Sequence, residues 1–179
     1  MRLFLCEKPS QGRDIANVLG CSEKMEGALR GNGNVVTWGF GHLLSQADPE
    51  VYDVALKEWS YEQLPIVPTT WQMVVPADKK KQFNVIKKLL LSCSEVVIAT
   101  DADREGEVIA REILDYVGYT GSISRLWLSA LDDASIRKGL KNLRPGDEHE
   151  SLYWAGLGRS QADWLLGMNL TRLCTLAGR

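Results

Sequence analysis

The chain has 179 residues, of which 45% are hydrophobic and 25% are charged, and its formal net charge is −2. This composition is typical of a globular protein and excludes the disordered and fibrous classes. No apolar run approaches bilayer length, so no membrane association is expected, and the slight negative charge argues against a protein that coats nucleic acid through charge alone. A cytoplasmic location is the default expectation. The four cysteines lie far apart and are expected to be free thiols rather than zinc ligands or disulfides; they are Cys6, Cys21, Cys93 and Cys174.

The first half of the chain predicts short strands separated by a helix and loops. A buried strand is predicted at residues 2–7, followed by a helix that starts near Pro9 and stops at Gly20. Residues 34–45 predict a strand and a turn. Residues 65–76 contain three prolines and predict an extended loop followed by an edge strand.

The second half of the chain alternates regularly between helix and strand patterns. We predict a helix at 80–93, a strand at 95–100, a helix at 106–118, a strand at 123–129 and a helix at 132–144. Strands joined through helices usually pair in parallel, which indicates an α/β domain with a mostly parallel sheet between helices.

A break at residues 145–147 suggests a domain boundary. We therefore assign the sheet domain to residues 1–147 and the beginning of a helical domain to residues 148–179. An amphipathic helix is predicted at 149–173. It ends at Arg179 without a stop signal, as a segment cut from a longer chain would.

The stretch 99-ATDADREGE-107 carries four acidic side chains directly after a buried strand. Carboxylates this close repel one another unless a cation lies between them. Asp101 and Asp103 follow one predicted strand, Glu7 follows another, and the carboxyl ends of neighbouring parallel strands converge at one edge of a sheet. With Glu105 at the entrance of the next helix, these oxygen ligands predict a magnesium site, because Mg²⁺ is a hard cation.

Lys8 indicates that the predicted metal site also binds a phosphate. It follows Glu7 at the start of a helix, whose free backbone N–H groups also attract anions. The two alternatives left open are that the acids are ordinary surface loop residues, or that they form an acidic pocket of the response-regulator kind. The lysine-rich stretch 79–88 predicts a solvated helix face, and His42 predicts a hydrogen-bonded turn residue.

Four motifs carry a resemblance to a known family. The segments 7-EKPS-10 and 101-DADREGE-107 resemble the Toprim domain of type IA DNA topoisomerases. Within that family, 38-WGFGHLLSQADP-49 and 158-GRSQADWLLGMNLTR-172 are most similar to the topoisomerase III branch. The resemblance implies a Rossmann-like Toprim fold followed by the start of a helical domain. It also implies a parent enzyme, an isomerase, that cleaves and religates single-stranded DNA to relax negative supercoils and to decatenate.

The resemblance assigns roles to the acidic site. Glu7 would assist proton transfer at the scissile phosphate, and Lys8 would contact that phosphate. Asp101 and Asp103, with Glu105 nearby, would hold Mg²⁺, and Glu7 is counted among the metal-site residues as well. Family members usually have proline between the two aspartates, where this chain has Ala102.

The resemblance also implies a path for single-stranded DNA. The expected path residues are Arg159, Gln161, Asp163, Trp164, Asn169 and Arg172. From its sequence context alone, Trp164 is instead expected to pack in the core of its helix. Arg104 either contacts DNA or pairs with the surrounding acids, and both roles stay open.

The family reaction uses a tyrosine nucleophile from a later domain. The tyrosines here lie outside the contexts that would mark it; they are Tyr52, Tyr61, Tyr116, Tyr119 and Tyr153. The chain is therefore expected to be an N-terminal fragment that is inactive alone and whose partners are single-stranded DNA, the remaining topoisomerase domains and, as a further candidate, a helicase. Association with the nucleoid would follow. The alternatives are a stand-alone Toprim nuclease and a non-enzymatic nucleic-acid-binding module.

Overall fold

The computed structural model describes residues 1–178. The strands are β1 (Arg2–Cys6), β2 (Glu23–Met25), β3 (Ala28–Gly31), β4 (Asn34–Trp38), β5 (Ser45–Gln46), β6 (Met73–Val74), β7 (Glu95–Ile98), β8 (Ser122–Arg125) and β9 (Arg144–Pro145). The α-helices are α1 (Pro9–Leu19), α2 (Pro49–Tyr52), α3 (Lys80–Ser92), α4 (Arg104–Val117), α5 (Asp133–Lys141) and α6 (Glu150–Ala177). Short 3-10 turns lie at Val54–Lys57, Tyr61–Gln63 and Gly146–His149.

The main sheet has a parallel centre and antiparallel edges. Within the described residues it has seven strands in the order β2-β3-β4-β1-β7-β8-β9, while β5 and β6 form a separate two-stranded ribbon. The pairs β4–β1, β1–β7 and β7–β8 are parallel. The outer pairs β2–β3, β3–β4 and β8–β9 are antiparallel. The predicted α/β fold with a mostly parallel sheet is confirmed.

Helices cover both faces of this sheet, and β1 shows why. Side chains alternate between the two faces of a strand. Leu3 and Leu5 pack into one core cluster with residues of α3 and α4, whereas Phe4 and Cys6 pack into a second cluster with residues of α1 and α5. All four side chains are buried, which explains why β1 is an unbroken apolar run.

Most predicted elements are present, with shifted ends. Gly20 ends α1 in the left-handed conformation, with a φ of 71°. Helix α4 begins at Arg104 rather than 106 because Asp103 caps it: its side chain accepts a hydrogen bond from the Gly106 amide. The hairpin of β2 and β3 and the edge strand β9 were not predicted, since they are short strands without a marked apolar alternation.

Helix α6 packs along α4 and also holds the irregular segment 47–72. The Trp164 indole N–H donates to the Ala47 carbonyl at 3.1 Å, and the Asn169 amide bonds both backbone groups of Ile66. On one side of α6, the side chains of Leu166 and Leu170 are exposed to solvent. The division of the chain into two domains at residue 147 stays a prediction. Across residues 1–178, no helix combines the length and apolar character needed to cross a membrane.

Candidate metal and phosphate site

The acidic residues predicted to converge lie at the ends of two neighbouring strands. Strands β1 and β7 pair in parallel, with Leu5 opposite Ile98. Glu7 follows β1, and Asp101 follows β7 after a two-residue extension. The Asp101 amide points at Glu7 Oε2 across 3.4 Å. The predicted strand neighbourhood is therefore confirmed, and it places these two carboxylates at one edge of the sheet.

Asp101 is held by two side chains of the segment that opens α1. Lys8 Nζ lies 3.2 Å from Asp101 Oδ2, and Gln11 Nε2 donates to Asp101 Oδ1 at 3.0 Å. Gln11 Oε1 also accepts from the Glu7 amide at 2.9 Å. Sequence reasoning missed Gln11. Its only sequence signal was its place in the first turn of α1, four residues after Glu7.

The electrostatics of Glu7 reflect this crowding. Partial burial raises the pKa of the Glu7 carboxyl, and the charge of Asp101 raises it further, with a smaller contribution from Asp103. Lys8 acts in the opposite direction. Because carboxylates that repel one another gain from a cation between them, the site favours binding of a positive ion.

Asp103 has a structural task in addition to its predicted one. Its Oδ1 accepts a hydrogen bond of 2.7 Å from the Gly106 amide and thereby starts α4. The Thr100 hydroxyl donates to the Gly106 carbonyl at 2.6 Å, on the other side of the same turn. The acidic loop, residues 99–103 between β7 and α4, is thus folded back onto the first turn of α4.

The structure places Glu105 in contact with His42. Its carboxylate lies 2.7 Å from His42 Nε2, and the His42 Nδ1 lies 2.8 Å from Glu112. The hydrogen bond to buried Glu112, with support from Glu105, raises the pKa of His42 to about 9. A charged imidazolium donates to both carboxylates, and the attraction of opposite charges holds Glu105 at His42. The expected hydrogen-bonded role of His42 is confirmed.

The carboxylates at this edge of the sheet are candidate ligands of a metal ion. Among the residues that the structure describes, no three His, Cys, Asp or Glu side chains are arranged to hold one. The chemistry of the donors nevertheless fits a hard cation, since Glu7, Asp101 and Asp103 offer only carboxylate oxygens. Lys8 already places a positive charge beside Asp101.

A polar cleft of about 390 Å³ lies next to the acidic loop, between α4 and α6. Its lining includes His42, Arg104, Glu105, Arg159, Ser160 and Asp163. Two predicted DNA contacts, Arg104 and Arg159, meet here, and both are exposed. Arg159 also lies 3.6 Å from Asp163. Gln161 is on the same helix, half-buried and outside the lining residues.

Arg172, an expected DNA contact, lies inside the folded chain. This side chain is only 3% exposed, and its Nη1 donates to the Leu56 carbonyl at 2.7 Å. Its guanidinium lies 5.0 Å from the ring centre of Trp59. Arg172 therefore ties α6 to the segment 47–72 rather than facing a DNA strand. Trp164 is half-buried and packs edge-on against Tyr52 and Trp71.

A buried ion pair behind the acidic loop was missed from the sequence. Arg125 and Glu107 are both fully buried, with Arg125 Nε 2.9 Å from Glu107 Oε2. Arg111 Nε binds the second oxygen of Glu107 at 2.7 Å. The only sequence signal was the four-residue spacing of Glu107 and Arg111 on one helix, which usually marks an exposed pair.

The comparison with known families shows to which family the chain belongs. A family model described as the Toprim domain matches residues 2–131, and the chain belongs to that family. The expected resemblance to topoisomerase III is also confirmed. The chain is 47% identical over 175 residues to DNA topoisomerase 3 of Staphylococcus epidermidis, covering 97% of this chain and 25% of that protein. It is 46% identical to DNA topoisomerase 3 of Bacillus anthracis, covering 97% of this chain and 24% of that protein.

A solved structure supports the fold. The full-length topoisomerase I from Thermotoga maritima superimposes with a TM-score of 0.54 and 23% identity, over 82% of this chain and 21% of that one. The chain spans about a quarter of the length of the curated relatives it matches. Toprim domains of topoisomerases are in general metal dependent.

Proposed function

We propose that this chain is the metal- and phosphate-binding part of a type IA DNA topoisomerase of the topoisomerase III branch. The single observation that carries the proposal is the convergence of Glu7, Lys8 and Asp101 where β1 and β7 end side by side. The similarity to proteins named DNA topoisomerase 3 supports it. The parent protein would cleave and religate single-stranded DNA, relax negative supercoils and separate linked circles.

Each residue of the site has a distinct task in this proposal. Lys8 binds a non-bridging oxygen of the scissile phosphate, because its ammonium stands at the start of α1, where backbone N–H groups also attract anions. Glu7 gives a proton to the leaving oxygen or takes it back, and its raised pKa suits a group that exchanges protons. Gln11 keeps Asp101 and the Glu7 backbone in register.

Magnesium is the proposed cofactor. Glu7, Asp101 and Asp103 would hold it, and when bound it would supply positive charge that stabilises the phosphate oxygens during cleavage. Glu105 would join this set only after leaving His42. The chain's own contribution is to orient these oxygens and to keep Lys8 beside them.

The cleft beside the acidic loop is the proposed entrance of the DNA path. Arg104 and Arg159 provide cations for two phosphates, and Gln161 provides a polar contact further along α6. Binding should therefore weaken with salt. The slight negative charge of the whole chain agrees with an affinity that rests on this local patch.

The remaining domains of the parent are proposed to supply the tyrosine nucleophile, and a helicase is a further proposed partner. The five tyrosines of this chain have other surroundings in the structure. For example, the Tyr153 hydroxyl bonds Asp115 at 2.6 Å, and Tyr52 accepts from the Gln72 amide at 3.0 Å. We propose that the parent acts in the cytoplasm, in association with the nucleoid.

A chimera tests this function directly. The chain would replace the matching region of the S. epidermidis DNA topoisomerase 3, and the hybrid would be assayed for relaxation of a negatively supercoiled plasmid with Mg²⁺. We expect relaxation by the hybrid and none by its Glu7→Ala variant. A folded hybrid that leaves the plasmid supercoiled, or a Glu7→Ala hybrid that relaxes it equally well, would contradict the proposal.

A further inference from the structure

Arg125 is a fully buried arginine at the end of β8 whose guanidinium binds almost entirely to backbone. Its Nη1 lies 3.1 Å from the Ile98 carbonyl, 3.0 Å from that of Thr100 and 2.9 Å from that of Leu126. Its Nη2 lies 2.6 Å from the Asp101 carbonyl. The planar fork of arginine fixes these partners relative to one another, which a flexible lysine would not do.

Three of these carbonyls mark the path from β7 into the acidic loop. Ile98 is the last residue of β7, and Thr100 and Asp101 follow after the strand has ended. The sheet ladder therefore does not fix their position. The guanidinium binds the carbonyls of both residues, and the carboxylate of Asp101 in turn lies 3.2 Å from Lys8 Nζ.

Glu107 forms an ion pair with this buried cation. Its two oxygens are divided between Arg125 and Arg111, and Arg111 continues to the carbonyl of Gly146. Burying such charges costs more free energy than burying apolar side chains of the same size. The ion pair is therefore poorly explained as a device for stability alone. A network that defines geometry at the adjacent site explains it better.

We propose that Arg125, paired with Glu107, is a positioning residue that sets where the carboxylates of the acidic loop stand for metal binding. The inference rests on the proposed function, since it assigns a use to the same site. Arg125 itself touches neither metal nor DNA. Its effect passes through the backbone of Thr100 and Asp101.

The test compares Arg125→Lys with Arg172→Lys in the 179-residue chain. Arg172 is a matched control, because it is also a buried arginine that binds a backbone carbonyl, but on α6 and away from the loop. Isothermal titration with Mg²⁺ should show about tenfold weaker binding for Arg125→Lys, which is the usual effect of losing a group that orients metal ligands. Arg172→Lys should bind as the wild type does. Equal affinity in all three proteins would overturn the proposal.

A second measurement needs no variant and therefore does not depend on whether Arg125→Lys folds. Amide hydrogen exchange of the wild type without metal should show Gly106, whose amide in the first turn of α4 donates to Asp103 of the acidic loop, protected to within about tenfold of the core strand residue Val97. Exchange of Gly106 that is many hundredfold faster would show a mobile loop and refute positioning. If the wild type binds no Mg²⁺, the proposed function fails, while the exchange result still decides whether the loop is held.

Discussion

Gly106 packs directly against the backbone of Asp101. A Cβ atom on Gly106 would collide with the Asp101 carbonyl oxygen and would lie 3.0 Å from the Asp101 nitrogen. The Gly106 amide at the same time donates to Asp103 Oδ1 at 2.7 Å. Glycine is thus required here by the close approach of two backbone segments, and the acidic loop depends on it.

The first prediction is that Gly106→Ala lowers the free energy of unfolding by about 1–3 kcal/mol, the usual cost of inserting a methyl group into a packed site. It should also weaken Mg²⁺ binding, because the added Cβ pushes the Asp101 backbone outward. The matched control is Gly158→Ala on α6, where a Cβ meets no atom within 4 Å. That variant should be as stable as the wild type or up to about 1 kcal/mol more stable. Equal magnesium affinity in both variants would contradict the role of Gly106 in positioning the acidic loop.

The second prediction concerns pH and His42. The hydrogen bond to Glu112, with support from Glu105, raises the pKa of His42 from 6.5 to about 9 in the folded protein. A group whose pKa is raised by folding stabilises the fold fully below its unfolded pKa and loses this contribution as pH rises through the folded pKa. The free energy of unfolding should therefore fall between pH 6.5 and about 9.

Chemical denaturation of the metal-free protein across this pH range, beside His42→Gln, measures the effect. Glutamine keeps hydrogen-bonding capacity and does not titrate, so the difference between the two stability curves isolates His42 from the cysteines that also titrate in the unfolded chain. The difference should shrink as pH rises. A constant difference from neutral to alkaline pH would mean that His42 is not charged in the fold.

The third prediction concerns how α6 holds the segment 47–72. Asn169 Oδ1 accepts from the Ile66 amide at 2.6 Å, and its Nδ2 donates to the Ile66 carbonyl at 2.9 Å. Asn169→Ala leaves both groups of this buried residue without their partner, which costs about 1–3 kcal/mol for an unsatisfied group. Limited proteolysis should then cut between residues 53 and 70 faster than in the wild type.

Thr171→Ala is the control for this experiment, because Thr171 is exposed and lies two residues further along the same helix. It should be cut at the rate of the wild type. If Asn169→Ala is cut no faster than Thr171→Ala, Asn169 does not hold the segment.

The parts of the fold that the sequence predicts well are those with strong local patterns. The apolar runs at Leu3 and Val96 predict buried parallel strands, and their pairing then brings Glu7 near Asp101. The two-residue strand β9 cannot be predicted from such local patterns, since nothing in residues 144–145 distinguishes an edge strand from a loop.

The contacts that no local pattern predicts are those between distant side chains. Arg125 is buried 24 residues after Asp101, whose carbonyl it binds, and a single arginine in a strand pattern gives no sign of it. His42 similarly captures Glu105 across 63 residues. The resemblance to a family predicts Arg172 on the DNA path. In the folded chain its guanidinium instead binds the Leu56 carbonyl and lies over the Trp59 ring.

The fourth prediction is that the 179-residue chain alone does not relax supercoiled plasmid. A bound metal can orient and polarise a phosphate, but without a tyrosine near it no covalent intermediate can store the broken bond. The assay is gel electrophoresis of plasmid after incubation with Mg²⁺, including a search for nicked circles. Relaxed topoisomers would place the nucleophile within this chain. Nicking that disappears in Asp101→Asn would instead support the stand-alone nuclease.

Glu7, Asp101 and Asp103 are proposed to bind Mg²⁺ together, and Asp103→Asn tests this site with little risk to the fold. Asparagine caps helices as well as aspartate does, so α4 should still start at its place while the site loses one charge. Asp132→Asn is the matched control, because Asp132 caps α5 in the same way, accepting from the Ser135 amide at 3.0 Å.

Isothermal titration of the three proteins with Mg²⁺ in the absence of DNA is the measurement. We expect the wild type to bind Mg²⁺ weakly, because Mg²⁺ normally completes its shell with phosphate and water. Asp132→Asn should bind Mg²⁺ with the same affinity as the wild type. Asp103→Asn should bind at least about tenfold more weakly, which corresponds to about 1.4 kcal/mol. Equal heats from the wild type and Asp103→Asn would contradict the proposed site.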